Sequence, residues 1–316
     1  MAGAEVRGRQ ATPNMTMTCH YTYAFSTAAC VASHPPSTAA VRLFSLHNSR
    51  YSSPTSKIIH LVRHAEGTHN VSEDHKTPAH LDATLTAKGV GQCHELAKFT
   101  RNLELDAVLV SPLTRCLETA RLSFPRVYGA VSAGDDLCNN GKNSHNNNHG
   151  ENNNNMNTNN SGGADGTVPF VAYEEWRETV NYLCDSRRTR STLQKEYPRV
   201  NFDQILHDHD PLWAHYEEKF GCYETHALLR ESRDAASLYN RAHSAWSVLL
   251  HRPERKLALV GHSAFFMHCF TPLFEELEGV VQYEDDDVRD LMTKGLFDNC
   301  ELRSVVVDFP REICQG

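Results

Sequence analysis

Lys57-Ile58-Ile59-His60-Leu61-Val62 runs without a break into Arg63-His64-Ala65-Glu66-Gly67-Thr68-His69-Asn70. The first six residues form a short, β-branched, apolar run, the pattern of a strand buried on both faces. The next eight are polar and carry cation, imidazole and carboxyl groups. A buried strand that delivers such groups at its carboxyl end is how an α/β sheet presents a site. The design recurs twice. Residues 107–110 lead into Ser111-Pro112-Leu113-Thr114-Arg115, and residues 257–260 lead into Gly261-His262-Ser263. A helix is predicted over residues 86–102, with Val90, Cys93 and Ala97 at helical spacing. Ser111-Pro112 is expected to cap a second helix, with Pro in its first turn, where a missing N–H costs nothing. Leu113, Leu117 and Ala120 would line its inner face. Ser263 would open a third helix carrying Phe266 and Phe270, and residues 302–307 read as a late strand. The alternation predicts an α/β fold: a three-layer α/β/α sandwich around a mostly parallel sheet.

Outward from this core, the composition narrows the function classes. The chain has 316 residues with Lys+Arg 31 against Asp+Glu 39, a formal net charge of −8. There is no cation surplus for a nucleic-acid backbone, so no nucleic-acid partner is expected. No stretch reaches the ~18 apolar residues needed to span a bilayer, so no membrane role is expected. The 10 cysteines are scattered without a CxxC pair. They read as reduced, mostly buried thiols of a reducing compartment, which favours the cytoplasm. Residues 1–56 are rich in Ser, Thr and Ala, with Glu5 their only acid and Arg7, Arg9, Arg42 and Arg50 supplying positive charge. They are read as a disordered tail or an organellar import segment, outside a catalytic domain spanning 57–310. Residues 134–167 are read as a disordered insertion dominated by asparagine, since such a stretch has nothing to bury and loop closure costs little extra with length. Residues 311–316 are read as a tail.

Two imidazoles and two guanidinium groups thus emerge at strand ends, where a pocket is expected. Arginines pair bidentately with phosphate oxygens and stay charged, and helix N-termini add N–H donors, so a phosphoryl group is the favoured ligand. A neutral imidazole is a competent nucleophile toward phosphorus when its other nitrogen holds the proton. Thr68 and His69 are candidates for substrate contact. Arg187, Arg188 and Arg190 form a basic cluster that would suit a second anionic group. The alternation His207-Asp208-His209-Asp210 has no partner cluster at ligand spacing, so no metal site is expected.

These segments together resemble the histidine phosphatase superfamily in its phosphoglycerate-mutase-like branch. Arg63-His64 with Glu66 and Asn70 resembles the family's RHGE…N motif. Residues 85–92 resemble its LTxxGxxQ segment, and residues 111–120 its SPLxRxxxTA. Trp176-Arg177-Glu178 resembles its acid motif, and Gly261-His262-Ser263 its GH[GS]. Residues 184–188, Tyr197-Pro198 and 299–303 are similar to an uncharacterised RHAxGxHN phosphatase subgroup of plants, fungi and protists. Ala65 replaces the usual glycine, which is harmless only where φ is not positive.

The resemblance implies a metal-free, cofactor-free, two-step phosphoryl transfer on a small phosphorylated molecule. His64 would attack phosphorus and form a phosphohistidine. Arg63, Arg115, Asn70 and His262 would hold the phosphoryl oxygens, with Ser263 beside them. Glu178 would protonate the leaving alcohol and then help activate water. Glu174 and Glu175 compete for the acid role, since on a helix they would share the face of Glu178. Hydrolysis is the leading expectation. A phosphoglycerate-mutase-type transferase and an inactive phospho-ligand-binding scaffold are the alternatives.

Overall fold

The computed structural model describes residues 41–47, 54–72, 77–129, 168–223, 229–270 and 281–309. The expectations placed on residues 1–40 and on the insertion 134–167 lie outside these. Among the described residues, eight strands form one sheet: β1 (Val41–Phe44), β2 (Ser56–Arg63), β3 (Ala107–Val110), β4 (Phe170–Ala172), β5 (Val200–Asn201), β6 (Lys256–Gly261), β7 (Val281–Tyr283) and β8 (Leu302–Asp308). Their order is β5-β4-β3-β6-β2-β8-β1-β7. β8 runs antiparallel to both of its neighbours, β1 and β2. Every other pairing is parallel.

The α-helices of the described residues are α1 (Thr68–Val71), α2 (Ala87–Thr100), α3 (Thr114–Ser123), α4 (Pro125–Tyr128), α5 (Arg190–Glu196), α6 (Pro211–Phe220), α7 (Ala235–His251), α8 (Ser263–Phe270) and α9 (Asp286–Thr293). Alternate strand residues face opposite layers. Ile59, Leu61, Leu109, Leu257 and Leu259 pack against Leu238, Trp246 and Leu249 of α7 and Phe266 and Phe270 of α8. Val62, Val108, Val110, Ala258 and Val260 pack against Cys116, Leu117 and Ala120 of α3 and Leu193 of α5. The sandwich therefore has three layers, as the alternation of elements predicts.

Two expectations are corrected. Residues 41–44, expected in the tail, form β1, where Leu43 is fully buried and Arg42 pairs with Asp308 at 2.6 Å. Four residues inside a polar segment give too little periodicity to read. The α3 helix begins at Thr114, not at Pro112. Its cap comes from outside the segment: Asp82 accepts hydrogen bonds from Thr114 N at 2.7 Å and Thr114 Oγ1 at 2.5 Å.

Inside the sheet, His60 lies opposite Ser304 across β2 and β8, with its Nδ1 2.8 Å from the Ser304 hydroxyl. Burial pushes its pKa down to about 4. An unfolded histidine titrates near 6.5, so between these values the unfolded chain binds the extra proton, and stability falls as pH drops through that window. The His60 contribution lost between pH 7 and pH 5 is about 2 kcal/mol. Thermal unfolding of His60→Val should lose less stability than the parent over that range; parallel curves would show that His60 is not held neutral.

Candidate active site

The hydrogen-bond ladder continues past the strand ends. His64 N donates to Gly261 O and Ser111 N to Val260 O, each at 2.9 Å. This carries residues 64, 111 and 262 to the same edge of the sheet. The His64 and His262 ring centroids lie 5.1 Å apart, and those of His64 and His69 lie 5.4 Å apart. His64 Nδ1 sits 2.8 Å from the Ala65 carbonyl. A carbonyl only accepts, so Nδ1 carries the proton and Nε2 keeps its lone pair. Burial, then the charges of Arg115, His69 and Arg63, hold the His64 pKa well below the ordinary imidazole value. The ring is neutral, with a nucleophilic nitrogen to offer.

Arg115 enters from the first turn of α3 and is almost fully buried. It donates to Cys184 O at 2.6 Å and to Asp185 Oδ1 at 3.2 Å, and its Nη2 is 3.4 Å from His262 Nδ1. Burial opposes its charge, but the neighbouring Cys184 and Asp185 outweigh it and its pKa rises. Arg63, at the end of β2, donates to Phe297 O at 2.6 Å. Its pKa is lowered, chiefly by burial, against the pull of Glu178. Each guanidinium leaves a buried Nε–H without an acceptor among the described residues. These are donors that an anion would take. His262 is also neutral, through burial and the nearby Arg115, and its Nε2 lies 2.8 Å from Ser111 Oγ.

The loop after His64 is tightly held. Ala65 is fully buried, and among described non-glycine residues only Asp82 and Cys300 have positive φ, so its methyl brings no strain. Asn70 Oδ1 accepts from Gly67 N at 2.9 Å, and Asn70 Nδ2 lies 3.1 Å from His69 Nε2. Thr68 Oγ1 is 3.4 Å from His80 Nδ1. Ser263 Oγ accepts from Phe297 N at 2.8 Å, steadying the peptide whose neighbouring carbonyl holds Arg63. Glu66 turns away to Lys88 Nζ at 2.7 Å and Thr86 Oγ1 at 2.8 Å.

The three acidic candidates separate. Glu174 to Trp176 form one short 3-10 turn, and Glu178 lies beyond it, so no helical face is shared. Glu174 is ion-paired with Arg177 at 3.0 Å and Arg187 at 2.7 Å. Glu175 lines a separate cleft with His243, Ser247 and His251. Glu178 is the carboxyl that acts on the charges of Arg63 and Arg115. Its Oε1 accepts from Thr179 N at 2.8 Å, Thr179 Oγ1 at 3.2 Å and Phe265 N at 3.1 Å, at the N-terminal turn of α8. Oε2 takes none of these bonds. Burial and the charge of Asp185 outweigh the donors and push the Glu178 pKa up.

Arg187 does not join this group. Its guanidinium donates to the carbonyls of Arg188, Asp208, His207 and His209 and pairs with Glu174, so no edge remains for substrate. Arg188 is likewise taken by Asp82 and Glu196, and Arg190 donates to Ile205 O. Asp210 caps α6 and forms a two-pronged pair with Arg177 at 2.7 Å on each side.

Sequence reasoning missed three supports. Asp185 holds Arg115 and also accepts from Tyr182 N at 2.9 Å. Asp82 orients the start of α3. Arg241 reaches from α7 to the carbonyls of Glu175, Arg177 and Glu178, at 3.1, 2.8 and 3.3 Å, while paired with Glu231. It fixes the acid segment from α7. No local pattern marks these residues, because each acts on a segment distant in sequence.

A sequence profile of the histidine phosphatase superfamily (branch 1) matches residues 59–137. A phosphoglycerate mutase-like protein of Arabidopsis thaliana is 30% identical over 264 residues, covering 79% of this chain and 84% of that protein. Phosphoglycerate mutase-like protein 1 of the same plant is 29% identical over 279 residues, covering 85% of each. Among solved structures, a putative alpha-ribazole-5'-P phosphatase from Escherichia coli superposes with a TM-score of 0.41 at 14% identity, covering 80% of this chain and 94% of that one.

Proposed function

Since the chain belongs to the histidine phosphatase superfamily, in its phosphoglycerate-mutase-like branch, we propose that it hydrolyses a small phosphomonoester through a phosphohistidine at His64. The observation that carries this reading is the His64 ring: neutral, protonated at Nδ1, with Nε2 unprotonated among buried guanidinium donors. Nε2 attacks phosphorus as the bond to the ester oxygen breaks, and Glu178 gives that oxygen its proton. Water then attacks the phosphohistidine, Glu178 takes a proton from it, and the P–N bond breaks to release phosphate and restore the imidazole. Arg63 and Arg115 hold the phosphoryl oxygens beside the neutral His262 ring, and charge that develops on those oxygens meets the two guanidinium cations. Asn70, Thr68, His69 and Ser263 shape the rim of the pocket. No metal ion is required for any of these steps.

Turnover of p-nitrophenyl phosphate and of a panel of phosphorylated metabolites, with and without EDTA, tests this. Steady phosphate release, unchanged by the chelator, is expected. Turnover that EDTA stops would overturn the metal-free scheme. Isomerisation of a phosphoglycerate without phosphate release would assign the chain to phosphoryl transfer instead.

A further inference from the structure

We propose that Gln92 is a positioning residue for the nucleophile: it holds the peptide group that decides which nitrogen of His64 carries the proton. The proposal rests on His64 being the nucleophile.

Two peptide groups flank Ala65. The one before it is gripped at both ends. His64 O accepts from Asn299 Nδ2 and from Cys300 N, each at 3.2 Å, and Ala65 N donates to Thr119 Oγ1 at 3.0 Å. The peptide after Ala65 is gripped differently. Its carbonyl accepts the His64 Nδ1 proton at 2.8 Å, and its N–H, on Glu66, donates to Gln92 Oε1 at 2.8 Å. A trans peptide is planar with its N–H and C=O pointing opposite ways. The acceptor on one side therefore sets where the carbonyl points on the other.

Gln92 is well placed for this. The start of α2 lies against the same backbone: Thr86 N donates to Glu66 O at 2.9 Å, and a Cβ on Gly89 would come 2.2 Å from that oxygen. Gln92 lies one turn further along α2. The Glu66 side chain is bound to Thr86 and Lys88 and offers its own N–H nothing.

Without the Gln92 oxygen, the Glu66 N–H is left unpaired in a buried loop, a costly state. Rotation of this one peptide relieves it by turning the N–H toward His64 Nδ1. That nitrogen would then accept, the proton would move to Nε2, and the lone pair that attacks phosphorus would be lost. Gln92 thus acts on the tautomer through two hydrogen bonds in series, without touching substrate.

The test compares Gln92→Leu, which removes the acceptor, with Gln92→Glu, which keeps one. The His64 tautomer is read from imidazole 15N resonances, and the rate of phosphohistidine formation is read by rapid quench. In Gln92→Leu the His64 signals should move toward the Nε2–H form. Phosphorylation should slow about 10- to 100-fold while KM stays within about threefold. Gln92→Glu should restore both. Should Gln92→Leu fail to fold, Gln92→Lys, with donors and no acceptor, serves the same comparison. An unchanged tautomer and rate in the acceptor-free variant would overturn the proposal, as would a Gln92→Glu enzyme equally impaired. A parent enzyme that forms no phosphohistidine would overturn the underlying reading instead, and the tautomer measurement would still decide the role of Gln92.

Discussion

Replacing His64 with alanine should lower turnover by at least about 10⁴-fold and abolish the acid-labile phosphoenzyme. The size of the effect follows from what the ring does. Its Nδ1 contact to Ala65 O leaves Nε2 unprotonated, with its lone pair free. On the proposed mechanism Arg63 and Arg115 would still bind an anion without it, but no covalent intermediate would form. Folding should survive, because among the described residues the His64 side chain hydrogen-bonds only to its neighbour Ala65, and burial already holds the imidazole neutral. Arg115→Ala is the instructive contrast: it would leave Asp185 buried without its guanidinium, a loss of about 3–5 kcal/mol in comparable pairs. Substrate binding in His64→Ala should stay near the parent value, while acid-quenched enzyme carries no labelled phosphate. Labelled phosphate persisting in that variant would place the nucleophile elsewhere, with His262 and Cys116, whose side chains lie 3.3 Å apart, the groups to examine.

The parts of this molecule that were legible in the sequence are those whose cause is local. The strands β2, β3 and β6 are four to eight residues long and buried on both faces, so they read as apolar runs. The α2 helix was read within two residues of its ends, because its apolar positions keep helical spacing. The residues that end those strands, His64, Ser111, Arg115 and His262, were legible as a group for the same reason, since the sheet edge follows from the strands. What was not legible depends on partners far along the chain. Arg187 looks like one of an exposed basic cluster, yet its guanidinium is used up by carbonyls about 20 residues later. Asp185 gives no local sign of supporting Arg115, 70 residues earlier. The three-residue β7 pairs with β1, a strand about 240 residues before it, and neither is long enough to show a period. Glu178 falls between the two classes. A motif singles it out from Glu174 and Glu175, but the reason it differs lies in Phe265 N, Arg241 and Asp185, of which only Asp185 is near it in the sequence.

That difference makes Glu178→Gln the second decisive substitution. Turnover of an alkyl phosphate should fall about 10²- to 10⁴-fold. An alkoxide leaves poorly, so it needs the proton that Glu178 holds. The p-nitrophenolate ion leaves readily without one, so its phosphate ester should lose far less. The pH profile adds an independent readout. Glu178 has its pKa raised by burial and Asp185, so the parent enzyme keeps the acid protonated above the usual carboxylate range. kcat/KM then declines as pH rises through that value, and Gln, which does not titrate, should remove this decline. The acid-side limb, which reports protonation of His64, lies below the ordinary imidazole range in both enzymes, because the His64 pKa is lowered. Three donors already occupy Oε1, so the transferable proton belongs on Oε2. Glutamine presents its Nε2–H₂ group there, which can donate a hydrogen bond to the leaving oxygen but cannot release a proton to it. Binding should therefore hold while chemistry fails. Equal losses on the alkyl and aryl esters, with the alkaline limb intact, would strip Glu178 of the acid role and pass it to Asp185, the other carboxylate that meets Arg115.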